Sequence, residues 1–246
     1  MKIDDDVHII ASGSAGALYT HPLDCNAYAI RCGDEYVLID SGVGVEPARI
    51  LRIIADDGIE PGQVRQLLLT HYHLDHAGGA AWMREHFKLR VSASREAAQA
   101  LESADEYAIS LGAAKKAGVY PADFPFRACK VDRVLQGGEE WTVGDAQFQA
   151  IRTPGHSRDM ISYLVRKPDR TLLFCGDTIF HGGKILISDT YDCDVQAYTQ
   201  SLRALARLKV DALFPGHMLW VARDAHSHIQ TAMSFVNRLL LPPNLL

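Results

Sequence analysis

Leu67-Leu68-Leu69-Thr70-His71-Tyr72-His73-Leu74-Asp75-His76-Ala77-Gly78-Gly79 decides how the rest of the chain is read. Three histidines and one aspartate fall within six residues, directly after an apolar β-type run and directly before small residues that can open a helix. Imidazole nitrogens and a carboxylate suit Zn²⁺, Fe or Mn better than Cu(I) or Ca²⁺. A polar surface turn is the alternative, since 11 histidines are spread along the chain. The crowding and the ligand chemistry favour a metal site.

Three more β-type runs end in the same way. Residues 147–151 lead into Thr153-Pro154-Gly155-His156, residues 171–175 into Gly176-Asp177, and residues 212–214 into Pro215-Gly216-His217. Glycine and proline turn a chain sharply at the end of a strand. Four strands ending at one edge would gather His71, His73, Asp75, His76, His156, Asp177 and His217.

The opening of the chain is β-rich, with strands expected at 7–10, 27–31 and 36–39 and a hairpin turn at Cys32-Gly33-Asp34-Glu35. The glycine-rich loop 12–22 carries Tyr19 and His21, and is either a substrate-contacting loop or a connector. Pro47 opens a helix with Ile50, Leu51, Ile53 and Ile54 at helical spacing and Gly58 placed to cap it. A strand at 64–69 delivers the chain to His71, and a helix is expected from 77 to 87. The 94–116 stretch reads as one helix, followed by proline-bearing 120–125; this 94–125 insertion is a packing element or a lid and pocket wall. A hairpin is expected at 141–145. Asp194 can cap a helix bearing Val195, Tyr198, Leu202, Leu205 and Leu208, and a last helix is expected from about 225 to 240, with His226 and His228 on its surface. The tail Leu239-Leu240-Leu241-Pro242-Pro243-Asn244-Leu245-Leu246 is apolar, and offers a surface to its own domain or to a second subunit in a homodimer.

Composition narrows the function. With 246 residues and 48% hydrophobic content the chain can bury a sizeable core, and a single domain over 1–246 is expected. A net charge of -5 and a pI near 6.1 leave no basic stripe for phosphates, so nucleic acid is not an expected partner. The 5 cysteines are odd in number and show no Cys-x-x-Cys spacing, which argues for reduced thiols rather than a disulfide framework or a thiolate zinc site. Residues 1–6 are acidic and do not read as a signal, and no run approaches the roughly 18 apolar residues of a membrane span. A soluble, cytoplasmic protein without a membrane partner is expected.

With all four blocks in order, the chain resembles the metallo-β-lactamase superfamily, and within it the small bacterial hydrolases related to hydroxyacylglutathione hydrolase (glyoxalase II) and to the lactonases. The resemblance runs from Val37-Leu38-Ile39-Asp40-Ser41-Gly42 through the His-x-His-x-Asp-His block to Phe214-Pro215-Gly216-His217. It implies an α+β fold, a four-layer αβ/βα sandwich with two mixed sheets face to face, helices outside and metals at one rim. It also implies two divalent metal ions, Zn foremost, with Fe or Mn as alternatives. His71, His73 and His156 would hold one ion, and Asp75, His76 and His217 the other, with Asp177 bridging. His73 separates the chain from the flavodiiron branch, which has glutamate there.

Two metals roughly 3.5 to 4 Å apart can hold a water, lower its pKa toward about 7 and polarise a substrate carbonyl. Asp75 is then the expected catalytic residue, holding the hydroxide and moving a proton to the leaving group. The resemblance therefore implies a metal-dependent hydrolase of a small ester, thioester or lactone. Phe180 and His181, after the bridging Asp177, are expected near the substrate together with Tyr19 and His21. Lactonases often carry tyrosine where Phe180 stands, and only about 29 residues follow His217, too few for the helical glutathione-binding domain of glyoxalase II. A persulfide dioxygenase with one iron on His71, His156 and Asp177 is the alternative from another class. A β-lactam hydrolase is the lower one.

Overall fold

The computed structural model describes residues 1–245, and the chain divides into two compact units, 1–135 and 136–246. Each unit holds one sheet. In the first, β1 (Val7–Ala11), β2 (Ala27–Cys32) and β3 (Glu35–Ile39) form an antiparallel meander, with Cys32 paired to Glu35 across the expected turn. Beyond β3, the strands β4 (Val64–Leu68), β5 (Arg90–Ser94) and β6 (Arg133–Leu135) continue the sheet in parallel, in the order β1 to β6. Parallel neighbours need crossovers. Helices α1 (Pro47–Asp56) and α3 (Ala80–Phe87) supply two of them. Pro47 is pre-set for the first turn of α1, and Ile50 and Ile54 form its buried stripe. The core of this unit gathers Ile10, Leu38, Ile50, Leu67, Met83 and Val91.

In the second unit the order is β11-β10-β9-β8-β7. Strands β7 (Glu140–Val143), β8 (Ala146–Arg152), β9 (Ile161–Arg166) and β10 (Thr171–Gly176) are antiparallel in succession, and β11 (Ala212–Pro215) lies parallel to β10. It follows that β8, β10 and β11 run in one direction and end at one edge of the sheet. Helices α6 (Val195–Leu205) and α7 (Ala225–Val236) pack Tyr198, Leu202, Leu205 and Ile229 onto Leu173 and Leu213. The α+β class with two sheets is as the sequence indicates. The four strands that carry the histidines and aspartates divide between the sheets, however: β4 belongs to the first and β8, β10 and β11 to the second.

Several elements differ from the expectation. The helix expected from 77 starts inside the histidine block as a single turn, α2 (Leu74–Ala77), and breaks at Gly78-Gly79 before α3. The 94–116 helix is two helices, α4 (Arg95–Ser103), capped by the Ser94 hydroxyl, and α5 (Leu111–Lys116). Ala104 adopts φ 51°, and the Asp105 carboxylate accepts from the Tyr107 and Ala108 amides at 3.0 and 3.1 Å. That local bonding competes with helix and interrupts it. Strands β5, β6 and β9 were not anticipated. Buried Ser92, Ser94 and Ser162 hide the apolar pattern of two of them. The last helix stops at Val236, since Leu239 is left-handed at φ 59° and 91% exposed. Val195 is exposed, not part of the buried face of α6. In the tail, the Asn244 side chain bonds both the amide and the carbonyl of Ile187 while Leu239, Leu240 and Leu241 stay exposed; Leu246 lies outside the described residues. Among the described residues no helix is long and apolar enough to cross a membrane.

One buried carboxylate ties two loops of the first unit. Asp24 accepts from the Val43 amide at 2.8 Å and from the His21 amide at 3.0 Å, and burial raises its carboxyl pKa from the ordinary aspartate value. Removing it strands two backbone donors. Asp24→Ala should lower unfolding free energy by about 2–4 kcal/mol, measured by urea denaturation, and a loss below about 0.5 kcal/mol would show that these bonds do not hold the loops.

Candidate metal centre

Strand β4 ends at Leu68, and the four potential ligands of the first unit follow within eight residues. His71 and His73 lie on the loop, while Asp75 and His76 lie on α2. The turn is locked from β3. Ser41 donates its amide and its hydroxyl to the His76 carbonyl at 2.8 and 2.7 Å, and a Cβ at Gly79 would collide with the Ser41 carbonyl. That close approach accounts for glycine at 79.

Asp40, directly after β3, orients the imidazoles. One carboxylate oxygen accepts the Thr70 amide, and the other accepts both the Thr70 hydroxyl and His76 Nδ1, all at 2.8 Å. Because the Thr70 hydroxyl donates to Asp40, its oxygen receives His71 Nδ1–H at 3.1 Å. Both rings therefore carry their hydrogen on Nδ1 and present Nε2. His71 Nε2 lies 3.2 Å from His73 Nδ1, and His76 Nε2 lies 3.5 Å from the Asp75 carboxylate. His71 and His76 stand ring against ring, 4.0 Å between centroids.

The second unit repeats the arrangement with different parts. His156 Nδ1 donates to the Leu186 carbonyl at 3.0 Å, so its Nε2 is presented, 3.5 Å from Asp177 Oδ2. His217 Nε2 lies 3.4 Å from the same oxygen. Gly155, before His156, has φ 151°, and a Cβ there would meet the Tyr198 ring. The Tyr198 hydroxyl donates to the Asp177 carbonyl at 2.6 Å and accepts the Leu186 amide at 3.1 Å. Ser201 holds the Pro154 carbonyl at 2.6 Å and the Asp194 amide holds that of Gly155 at 2.8 Å, so α6 clamps the histidine loop from below.

Four donor pairs within the two units thus stand 3.2–3.5 Å apart. Two ligands each about 2.0–2.1 Å from a tetrahedral zinc are separated by about 3.3 Å. The donors fit a metal ion, and three of the imidazoles, those of His71, His76 and His156, are held by the outer bonds that metal-ligating histidines use. Cys25, whose sulfur lies within 4.8 Å of donor atoms of Asp40 and His76, is a different matter. Burial pushes its thiol up to about 12.

The expected substrate contacts fare unequally. Tyr19 donates its hydroxyl to the Ile9 carbonyl and so serves to anchor its own loop to β1. His21 lines a cavity of the first unit. Phe180 is fully buried, and it shares a small apolar pocket of the second unit with exposed His181. His228, expected to be a plain surface residue, is partly buried, accepts the Gly182 amide at 2.9 Å and leans on the His181 ring. Asp40, Thr70 and Tyr198 were not singled out for the site. An aspartate directly after β3, within the Ile39-Asp40-Ser41-Gly42 block, was the available signal; for Tyr198, read as a core residue of α6, there was none.

The sequence profile described as the metallo-β-lactamase superfamily matches residues 21–217. The chain is 30% identical over 193 residues to an atrochrysone carboxyl ACP thioesterase of Aspergillus fumigatus, covering 78% of this chain but only half of that relative's length. It is also 30% identical over 210 residues to the acyl-coenzyme A thioesterase MBLAC2 of Gallus gallus, covering 78% of this chain and 72% of that protein. Among solved structures, the subclass B3 metallo-β-lactamase BJP-1 of Bradyrhizobium japonicum superposes with a TM-score of 0.72 over 97% of this chain and 91% of its own, at 21% identity.

Tyr198→Phe removes the hydroxyl that bonds both the Leu186 amide and the Asp177 carbonyl. A stability loss of about 2–3 kcal/mol is expected in denaturant titration, with no change in secondary structure by circular dichroism. A loss below about 0.5 kcal/mol would mean that this hydroxyl does not buckle the second unit.

Proposed function

The chain belongs to the metallo-β-lactamase superfamily, and from that premise we propose that it is a metal-dependent hydrolase of small acyl substrates, thioesters foremost, with esters and lactones as related substrates. One observation carries the reading: in each unit an Nδ1-anchored imidazole presents Nε2 to a second donor at 3.2–3.5 Å. Two lone pairs face each other comfortably only with a cation or a proton between them.

In this reading His71, His73, Asp75, His76, His156, Asp177 and His217 are the residues that would hold the ions. The nitrogen and oxygen donors favour Zn²⁺, with Fe or Mn as the alternatives. When bound, such ions supply hydroxide at neutral pH and polarise the scissile carbonyl. The chain's own residues then have distinct tasks. Asp40 and Thr70 keep His71 and His76 in the tautomer that leaves Nε2 without a hydrogen. The Asp75 carboxylate, partly open to solvent, takes a proton at Oδ and hands it to the leaving group. Since the leaving thiolate of a thioester is a weak base, this transfer is least demanding there. The relatives named as thioesterases support the same choice, whereas the β-lactamase likeness speaks for fold alone. Five free cysteines, four of them buried, fit a reducing cytoplasm.

Hydrolysis of a panel of acyl thioesters by purified protein tests the proposal. Activity should disappear on chelator treatment and return with Zn²⁺, and Asp75→Asn should lower kcat about 10²–10⁴-fold on the best substrate. Turnover that survives exhaustive chelation would refute it.

A further inference from the structure

Within residues 1–135 lies a cavity of about 540 Å³ whose walls include His21, Leu23, Val43, Gly78, Phe124 and Arg127. Its size is that of a pocket for a small organic ligand. Four chain segments far apart in sequence build it: the 21–24 loop, the 43–45 turn after β3, Gly78 directly after α2, and the 121–127 part of the long connection between α5 and β6.

The cavity is built to keep its shape. Asp24 ties two of its walls, bonding the His21 amide on one side and the Val43 amide on the other. On the third side Tyr120 and Phe124 meet edge to face at 5.1 Å between centroids, and both pack on the apolar core of this unit. Phe124 is buried, although it belongs to a stretch rich in exposed proline and charge.

The cavity also adjoins the histidine block. Gly78, in its lining, follows His76 by two residues. Burial, and next the charge of Asp75, push the Tyr120 phenol upward, so the segment that walls the cavity lies within electrostatic reach of Asp75. The charge of Arg127 is engaged, since it pairs with Glu85 at 2.8 Å. Asp123, exposed in the lining, repels an acyl group that ends in a carboxylate.

We propose that this cavity is the acyl subsite, selecting uncharged apolar acyl groups of medium length over acetyl, and that the 121–127 segment is its specificity-determining wall. The inference rests on the hydrolase reading for its chemistry, but not for its binding. Each methylene entering the cavity should improve binding or kcat/KM about fourfold until the space is filled.

The test uses the full chain and two readouts. Calorimetric binding of non-hydrolysable acyl thioethers of N-acetylcysteamine, from acetyl to dodecanoyl, is compared with turnover of the matching thioesters. Wild type should bind the octanoyl analogue at least 30-fold more tightly than the acetyl one. Leu23→Trp, which fills the cavity, should weaken octanoyl binding at least 10-fold and move the optimum to shorter chains. Phe124→Ala should move the optimum to longer chains, with thermal unfolding confirming that each variant is folded. Chain-length-dependent binding without any turnover would retain the cavity and refute the hydrolase. Turnover or binding indifferent to chain length, or a length profile that folded Leu23→Trp leaves unchanged, would overturn the acyl subsite.

Discussion

Asp40 sits buried at the end of β3 with φ 59°, and its carboxylate accepts three hydrogen bonds at 2.8 Å. A buried carboxylate is tolerable only when its lone pairs are satisfied. Here that requirement fixes the Thr70 backbone, the Thr70 hydroxyl and the His76 ring together, and through Thr70 the His71 ring as well. Aspartate is among the few side chains at ease in left-handed backbone, so the position can aim a carboxylate back under the histidine turn. Two of the four donors of the first unit, His71 and His76, depend on that one group for their tautomers and their aim.

The second unit reaches the same end without a buried carboxylate behind its histidine. There a backbone carbonyl, that of Leu186, takes the Nδ1 hydrogen of His156, and the Tyr198 hydroxyl fixes the Leu186 amide and the Asp177 carbonyl at once. A tyrosine on the buried face of α6 thus couples a helix to the ends of β8 and β10. Neutral bonds suffice because they position a loop rather than hold a charge. The common principle is that each donor array is pre-set by bonds outside it, which lowers the ordering cost of taking up an ion.

Much of this was legible in the sequence, because ligands of this kind must cluster and strands that end in Pro-Gly or Gly-Asp bends announce themselves. The β4 run and its His71 to His76 block, the strands before His156, Asp177 and His217, the Pro47 start of α1 and the Asp194 cap of α6 all appear where pattern placed them. What escaped the reading depends on partners distant in sequence. Strand β5 carries serines at buried positions, so its alternation fails. The break after Ser103 comes from Asp105 bonding its neighbours' amides. The Tyr19 hydroxyl bonds the Ile9 carbonyl, 10 residues away. Asp40 and Tyr198 act through contacts 30 and 21 residues away, which no local period encodes.

Metal content per chain tests the central claim most directly, measured by elemental analysis on protein purified without added metal or a chelating tag, and repeated on Asp177→Asn. Two ions per chain in the wild type, falling to one or none in the variant, is the predicted result. A single ion, or none, in the wild type, or two ions that Asp177→Asn leaves in place, would contradict the account.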